Sequence, residues 1–173
     1  MPAKSQDAVI LLKADHRQVE ALFEKFEKAP KGRKRGLAKQ ICRALRVHTT
    51  IEEEIFYPAF LEQADDADMH HEAEVEHAAA KSLIAQIEDG DPGDEYFDAK
   101  VSVLSEMIKH HVKEEEGAGG MFAEARKSGM DLKALGEQLS NRRSELENDA
   151  GKGGGIALAA SHRDLDSTVL TAN

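Results

Sequence analysis

The feature that most constrains this chain is a set of polar interruptions in otherwise apolar helical stripes. Apolar residues recur at alternating spacings of three and four, which places them on one face of a helix. The first stripe is Val9, Leu12, His16, Val19, Phe23, Phe26, and the second is Ile41, Leu45, His48, Glu52, Ile55, Ala59. The third is His70, Ala73, His77, Ala80, Ile84, Ile87, and the fourth is Phe97, Val101, Leu104, Ile108, His111, Glu115. Each stripe carries an imidazole, or an imidazole and a carboxylate, where a leucine would ordinarily pack. The four helices therefore bury their polar groups against one another.

Turn chemistry separates the stripes. The first ends at Ala29-Pro30-Lys31-Gly32, and the third stops at the turn formers Gly90-Asp91-Pro92-Gly93. The second helix is expected to enter after Gly36 and to pass over Pro58; the fourth is interrupted by Gly117, Gly119 and Gly120. With aromatic residues at only 5% and no Trp, strands have little to build on, so the fold class is all-α, a four-helix bundle. The bundle is assigned to residues 1–127. Asp131 can cap a further short helix whose face is Leu132, Leu135, Leu139 and Leu146, giving a C-terminal helical extension over 128–147 that covers one end of the bundle. Residues 148–173, beginning near GKGGG, read as a flexible tail, with Ile156-Ala157-Leu158 its one apolar spot.

The order of polar features repeats. A lone histidine followed by His-x3-Glu occurs as His16 then His48/Glu52, and again as His77 then His111/Glu115, at offsets of 61, 63 and 63 residues. Two such hairpins would face each other across a pseudo-two-fold axis. Six ionisable groups in a helix core are costly unless they share a partner, and a cation supplies one. A His and a Glu four apart lie about 6 Å apart on one face, close enough to serve one metal or two neighbouring metals. The candidate metal ligands are His16, His48, Glu52, His77, His111 and Glu115. Imidazoles with carboxylates able to bridge, and vacancies left over, suit iron above manganese and zinc. Charge balance calls for a bridging hydroxide or oxide between divalent ions.

Spacing alone also allows His110/Glu114; the unbroken stripe favours His111/Glu115, leaving His110 as an outer or surface group. His70 is about 10 Å along the axis from His77, too far for the same metal, and is placed near a bundle end. Glu74 makes a Glu-x-x-His with His77, the motif of ferritin-like di-iron bundles, but that motif is not repeated, so Glu74 is read as auxiliary or solvated. Glu53, Glu54 and Glu116 are solvated or outer acceptors.

Other readings lack support. A net charge of −10 opposes a nucleic-acid surface, and the basic run Lys31–Arg35 is read as a solvated turn. No run approaches the roughly 20 apolar residues of a membrane span. No secretory signal is evident either, so a cytoplasmic location is expected. Cys42 is expected to be a small buried hydrophobe. There is no His-Glu-x-x-His, phosphate-cradling glycine loop or Cys-x-x-Cys, and no nucleophile set for catalysis.

The strings AVILLKADHRQVEALF, HTTIEEEIFYPAF, EAEVEH and HHVKEEE resemble the haemerythrin-like, or HHE cation-binding, domain over about residues 7 to 127, and GMDLKALGEQL resembles the C-terminal extension of bacterial members. The resemblance implies an up-down-up-down bundle holding two non-haem iron ions with an oxo or hydroxo bridge. Its ligands would be His16, His48, Glu52, His77, His111 and Glu115, with Glu52 and Glu115 as the bridges. It also implies meeting dioxygen, peroxide or nitric oxide, as binder, sensor, enzyme or iron-holding module, in oxidative or nitrosative stress. Oxygen carriers of the family have a fifth histidine where this chain has Ala73, which argues against simple reversible carriage. The GAGG insertion departs from the family's shorter link and is expected to distort the end of the fourth helix.

Overall fold

The computed structural model describes residues 6–64 and 66–151. Helix α1 (Ala8–Lys28) opens on Asp7, whose carboxylate accepts from the Ile10 amide at 2.9 Å, and closes on two lysines that suit the negative end of the helix dipole. α2 (Lys31–Ile51) runs through a π-helical turn (Glu52–Phe56) into α3 (Tyr57–Gln63). α4 (Ala67–Glu88) and α5 (Phe97–Glu116) complete an up-down-up-down bundle in which α1 packs on α2 and α5, and α4 packs on α2 and α5. A short helix, α6 (Met121–Lys127), and a 20-residue helix, α7 (Leu132–Gly151), follow. Among the described residues no helix is long and apolar enough to cross a membrane.

The basic run Lys31–Arg35 is not a solvated turn, and α2 does not wait for Gly36. Pro30, with φ −65°, is set to precede a helix, and Lys31–Arg35 form the opening of α2. Lys34 pairs with Asp98 and lies 4.8 Å from the centre of the Phe26 ring, which ties the start of α2 to α5 and α1. Gly32 and Gly36 face open space, so a helix accommodates both without penalty beyond their own entropy.

Two apolar clusters fill the bundle, one on each side of the polar layer. The first unites Val19, Phe23, Phe26, Ile41, Leu45, Ile84, Phe97 and Leu104. The second unites the first turns of α1 with Phe56, Tyr57, Phe60, Phe122, Leu135, Leu139 and Leu146, so α6 and α7 close over that half. Asp131 caps α7, accepting from the Ala134 amide at 3.0 Å. α7 continues to Gly151, beyond the boundary expected at 147. The tail from 152, with Ile156-Ala157-Leu158, lies outside the described residues. α5 keeps helical geometry up to Glu116 and stops at Gly117; the chain then turns through Gly119, at φ +76°, into α6.

Candidate metal centre

Between the two apolar clusters, every helix of the bundle turns a polar side chain inward. α1 contributes His16, α2 His48, the π-helical turn Glu52, α4 His77, and α5 both His111 and Glu115; all six are buried. The structure brings them together in two adjoining groups: His16, His48, Glu52 and Glu115 in one, and Glu52, His77 and His111 in the other, with the donor atoms of each group within 4.8 Å of one another. Glu52 belongs to both. Its Oε2 lies 3.2 Å from His48 Nε2 and 3.3 Å from His77 Nε2. Glu115 likewise spans the groups, at 3.3 Å from His16 Nε2 and 3.4 Å from His111 Nε2. The two halves mirror each other: His16 and His48 face at 3.1 Å between Nε2 atoms, His77 and His111 at 3.2 Å.

These atoms crowd together without satisfying one another. Both Glu52 oxygens and Glu115 Oε2 are buried and have no hydrogen-bond partner among the described residues, although ring nitrogens lie close by. Donor sets that approach but miss each other point at a common third position, as ligands of a cation do. Burial, and then the charge of Glu115, push the Glu52 carboxyl well above the usual range. Burial opposes ionisation of Glu115 as well, but His111 and His16 outweigh it and hold Glu115 low. His16 and His111 rise, their burial outweighed by Glu115 and the other carboxylates around them, whereas burial drags His48 down to about 4. Glu52, His16 and His111 thus favour their protonated forms, and a divalent cation would replace those protons.

The outward ring nitrogens are all engaged. His16 Nδ1 meets Glu116 at 2.7 Å, His48 Nδ1 meets Asp15 at 3.2 Å, His77 Nδ1 meets Glu53 at 2.9 Å and His111 Nδ1 meets Glu76 at 2.6 Å. Each carboxylate accepts from Nδ1–H, which fixes the tautomer and leaves the Nε2 lone pair aimed inward. Glu53 and Glu116 were open to this outer role in the sequence; Asp15 and Glu76 were not singled out. Further cations brace them: Arg17 on Glu116, Lys81 on Glu53, and Arg143 of α7 on Asp15. The third outer acceptor of the sequence, Glu54, instead pairs with Arg142 of α7 at 2.7 Å.

Tyr57 is the residue that stripe reasoning missed. Its hydroxyl lies 3.1 Å from both His77 Nε2 and Glu115 Oε1 and 3.5 Å from His111 Nε2. The cause is the π-helical turn, where the Tyr57 amide reaches back to the Glu52 carbonyl. Pro58 has no amide to donate and crowds the carbonyl of Glu54, and the widened turn relieves that clash while rotating Tyr57 into the core. The signal available beforehand was a proline one residue after a tyrosine, inside a helix that also carries ligand candidates.

The remaining candidates fall outside. His110 is exposed and contacts Glu114 at 3.1 Å and Glu76 at 3.4 Å. His70 is buried edge-on to Tyr57, 5.8 Å between ring centres. Glu74 is half exposed and lies 3.6 Å from His70. Ala73 sits in the apolar cluster beside the site.

The model of the Hemerythrin HHE cation binding domain matches residues 7–119, well over half of the chain. The chain belongs to the haemerythrin HHE family. A hemerythrin HHE cation binding domain-containing protein from Mycobacterium kansasii has a solved structure that superposes with a TM-score of 0.72 over 85% of this chain and 91% of that one. At 21% identity that likeness speaks for the fold alone. A protein described as a DNA nickase from Nostoc sp. is 28% identical over 120 residues, covering 67% of this chain; the chain spans 32% of that relative's length. This is a metal-binding domain of the HHE family, and its buried His/Glu groups are the place where a metal fits.

Proposed function

We propose that this HHE protein holds two iron ions, joined by an oxo or hydroxo bridge, on His16, His48, Glu52, His77, His111 and Glu115, and that it binds or responds to dioxygen, peroxide or nitric oxide in oxidative or nitrosative stress. One observation carries the reading: Glu52 and Glu115 each touch both histidine pairs, and their unsatisfied oxygens lie between them. A mononuclear site would need one such carboxylate, not two placed symmetrically. Iron supplies variable oxidation state and open coordination positions toward small oxidants.

The residues of the chain set the conditions for that chemistry. The four Nδ1 contacts hold the imidazoles in place, and the apolar clusters on both sides exclude water. With Ala73 where a fifth histidine would stand, one half-site has fewer protein donors, which favours exchange over storage of a small ligand. Burial, and then the charges of Glu115 and Glu52, push the Tyr57 phenol well above its usual range, so it remains an O–H donor beside the His77 half. That O–H suits the second reading, an enzyme removing peroxide or nitric oxide, because it can donate a hydrogen bond to a small oxidant held at this half-site. We read the site of action as cytoplasmic, and the ligand as a small oxidant in place of nucleic acid. The DNA nickase name of the Nostoc relative is not carried over, because two thirds of that protein has no counterpart here and this chain carries a net charge of −10.

Elemental analysis of protein expressed in iron-replete medium should find about two irons per chain; well under one would overturn the reading. Absorption spectra before and after air exposure separate the two functions. A stable adduct that reverses under argon supports binding, and peroxide-driven oxygen evolution that collapses in His77→Ala supports the enzyme.

A further inference from the structure

A groove of about 380 Å³ runs between α1 and α5, within the size range of small-ligand pockets. Phe23, Ile108 and Val112 give it an apolar lining, and His16 with Glu116 closes one end. Its distinctive member is Ser105. That residue is only 3% exposed, lines the groove, and its hydroxyl has no hydrogen-bond partner among the described residues. A helical serine ordinarily returns its hydroxyl to the carbonyl four residues back. Ser102 does so on the same helix, to Asp98 at 3.0 Å, and Ser144 does so on α7. Ser105 forgoes that bond, and a buried hydroxyl left unpaired calls for an outside partner.

The charges along the groove indicate which partner. Lys109 and Lys113 follow Ser105 at four-residue steps, so the three form one polar row on α5, in a chain that is otherwise strongly acidic. Across the groove Arg17 is already balanced by Glu20 and Glu116. Among the described residues Lys109 pairs directly with Glu106 at 3.0 Å, with side chains 54% and 75% exposed, a contact that water and salt weaken and an incoming anion can replace. A neutral apolar molecule would leave Ser105 and the lysine row unused. A phosphate ester would find no free arginine fork and an apolar floor against its remaining oxygens.

We infer that this groove binds an organic monocarboxylate with an apolar body. The carboxylate accepts from the Ser105 hydroxyl and the Lys109 ammonium, displacing Glu106, and the apolar body lies along Ile108 and Val112 toward His16. The site stands apart from the question of which metal the centre holds, since none of its anion-binding groups is a candidate ligand.

Isothermal titration of the full, iron-loaded chain with octanoate tests it, with 1-octanol and octylammonium as matched probes. Octanoate should bind with 1:1 stoichiometry and at least tenfold more tightly than either probe. Lys109→Glu should weaken it tenfold or more, and Ser105→Ala about fivefold, the worth of one ordinary hydrogen bond. Leu61→Ala, an exposed apolar residue on α3, should bind as the unaltered chain does. Iron content and melting temperature of each variant establish that the fold persists. Octanol binding as well as octanoate, or both groove variants binding octanoate undiminished, would overturn the inference.

Discussion

Replacing Glu52 with methionine should move the stability of this protein in opposite directions with and without metal. Glu52 is fully buried, both its oxygens lack partners, and its carboxyl is pushed upward by burial and by Glu115. Methionine has similar length and removes the desolvation of the carboxyl group. A buried polar group left without a partner costs about 1–3 kcal/mol, and an apolar side chain of like volume removes that cost. For a domain of this size each kcal/mol shifts the melting temperature by about 2–4 °C, so the metal-free variant should melt level with, or several degrees above, the metal-free parent. The same change takes a shared donor from both histidine groups. Iron should then fall from about two per chain to one or fewer, and the stabilisation that iron confers on the parent should shrink with it. The assay is a thermal melt by circular dichroism on each protein, chelated and then reloaded, with metal content measured on the same samples. A metal-free variant that melts well below the metal-free parent would show that the carboxylate supports the apo fold. The metal-partner reasoning would then fail at its central residue.

Four further expectations follow from the same geometry. Glu76→Ala frees His111 Nδ1 and should weaken iron binding about 10- to 100-fold with little change in fold, read by competition with a chelator; unchanged affinity would remove Glu76 from the site. Because the Glu52, His16 and His111 pKa values lie above their ordinary values in the cation-free site, protons compete for the site as pH falls, so iron retained after desalting should be lower at pH 5 than at pH 8. Gly136→Ala places a methyl 2.1 Å from the Gln6 carbonyl oxygen, a backbone atom at the start of α1, and should cost about 1–3 kcal/mol in a denaturant titration. Cys42, buried and pushed up to about 12 chiefly by that burial, should resist maleimide in the native chain and react once it is unfolded.

The sequence by itself determined which faces of the four helices turn inward, and with them the six residues that meet. Periodicity reports the angle of a side chain around its own helix axis, and the stripes through His16, His48, His77 and His111 are buried at nearly every position. It also chose His111 over His110, since adjacent residues differ by about 100° around the axis and only one of them points at the core. The cap of α7 at Asp131 was equally readable, whereas the cap of α1 at Asp7 was not singled out and Pro30 was taken only as a stop and not as the start of α2. What periodicity cannot supply is the relation between one helix and another. The Nδ1 partners Asp15 and Glu76 act across helix pairs, and Arg143 reaches Asp15 from a helix 128 residues away in the chain. The π-helical turn breaks the very period on which stripe reasoning depends, which is why Tyr57 came to the site unannounced. The unpaired hydroxyl of Ser105 belongs to the same class. Its burial follows from the packing of α1 against α5, which spacing along α5 alone does not report. Local spacing therefore determined the donors, and the packing of whole helices determined how they are held, protonated and reached.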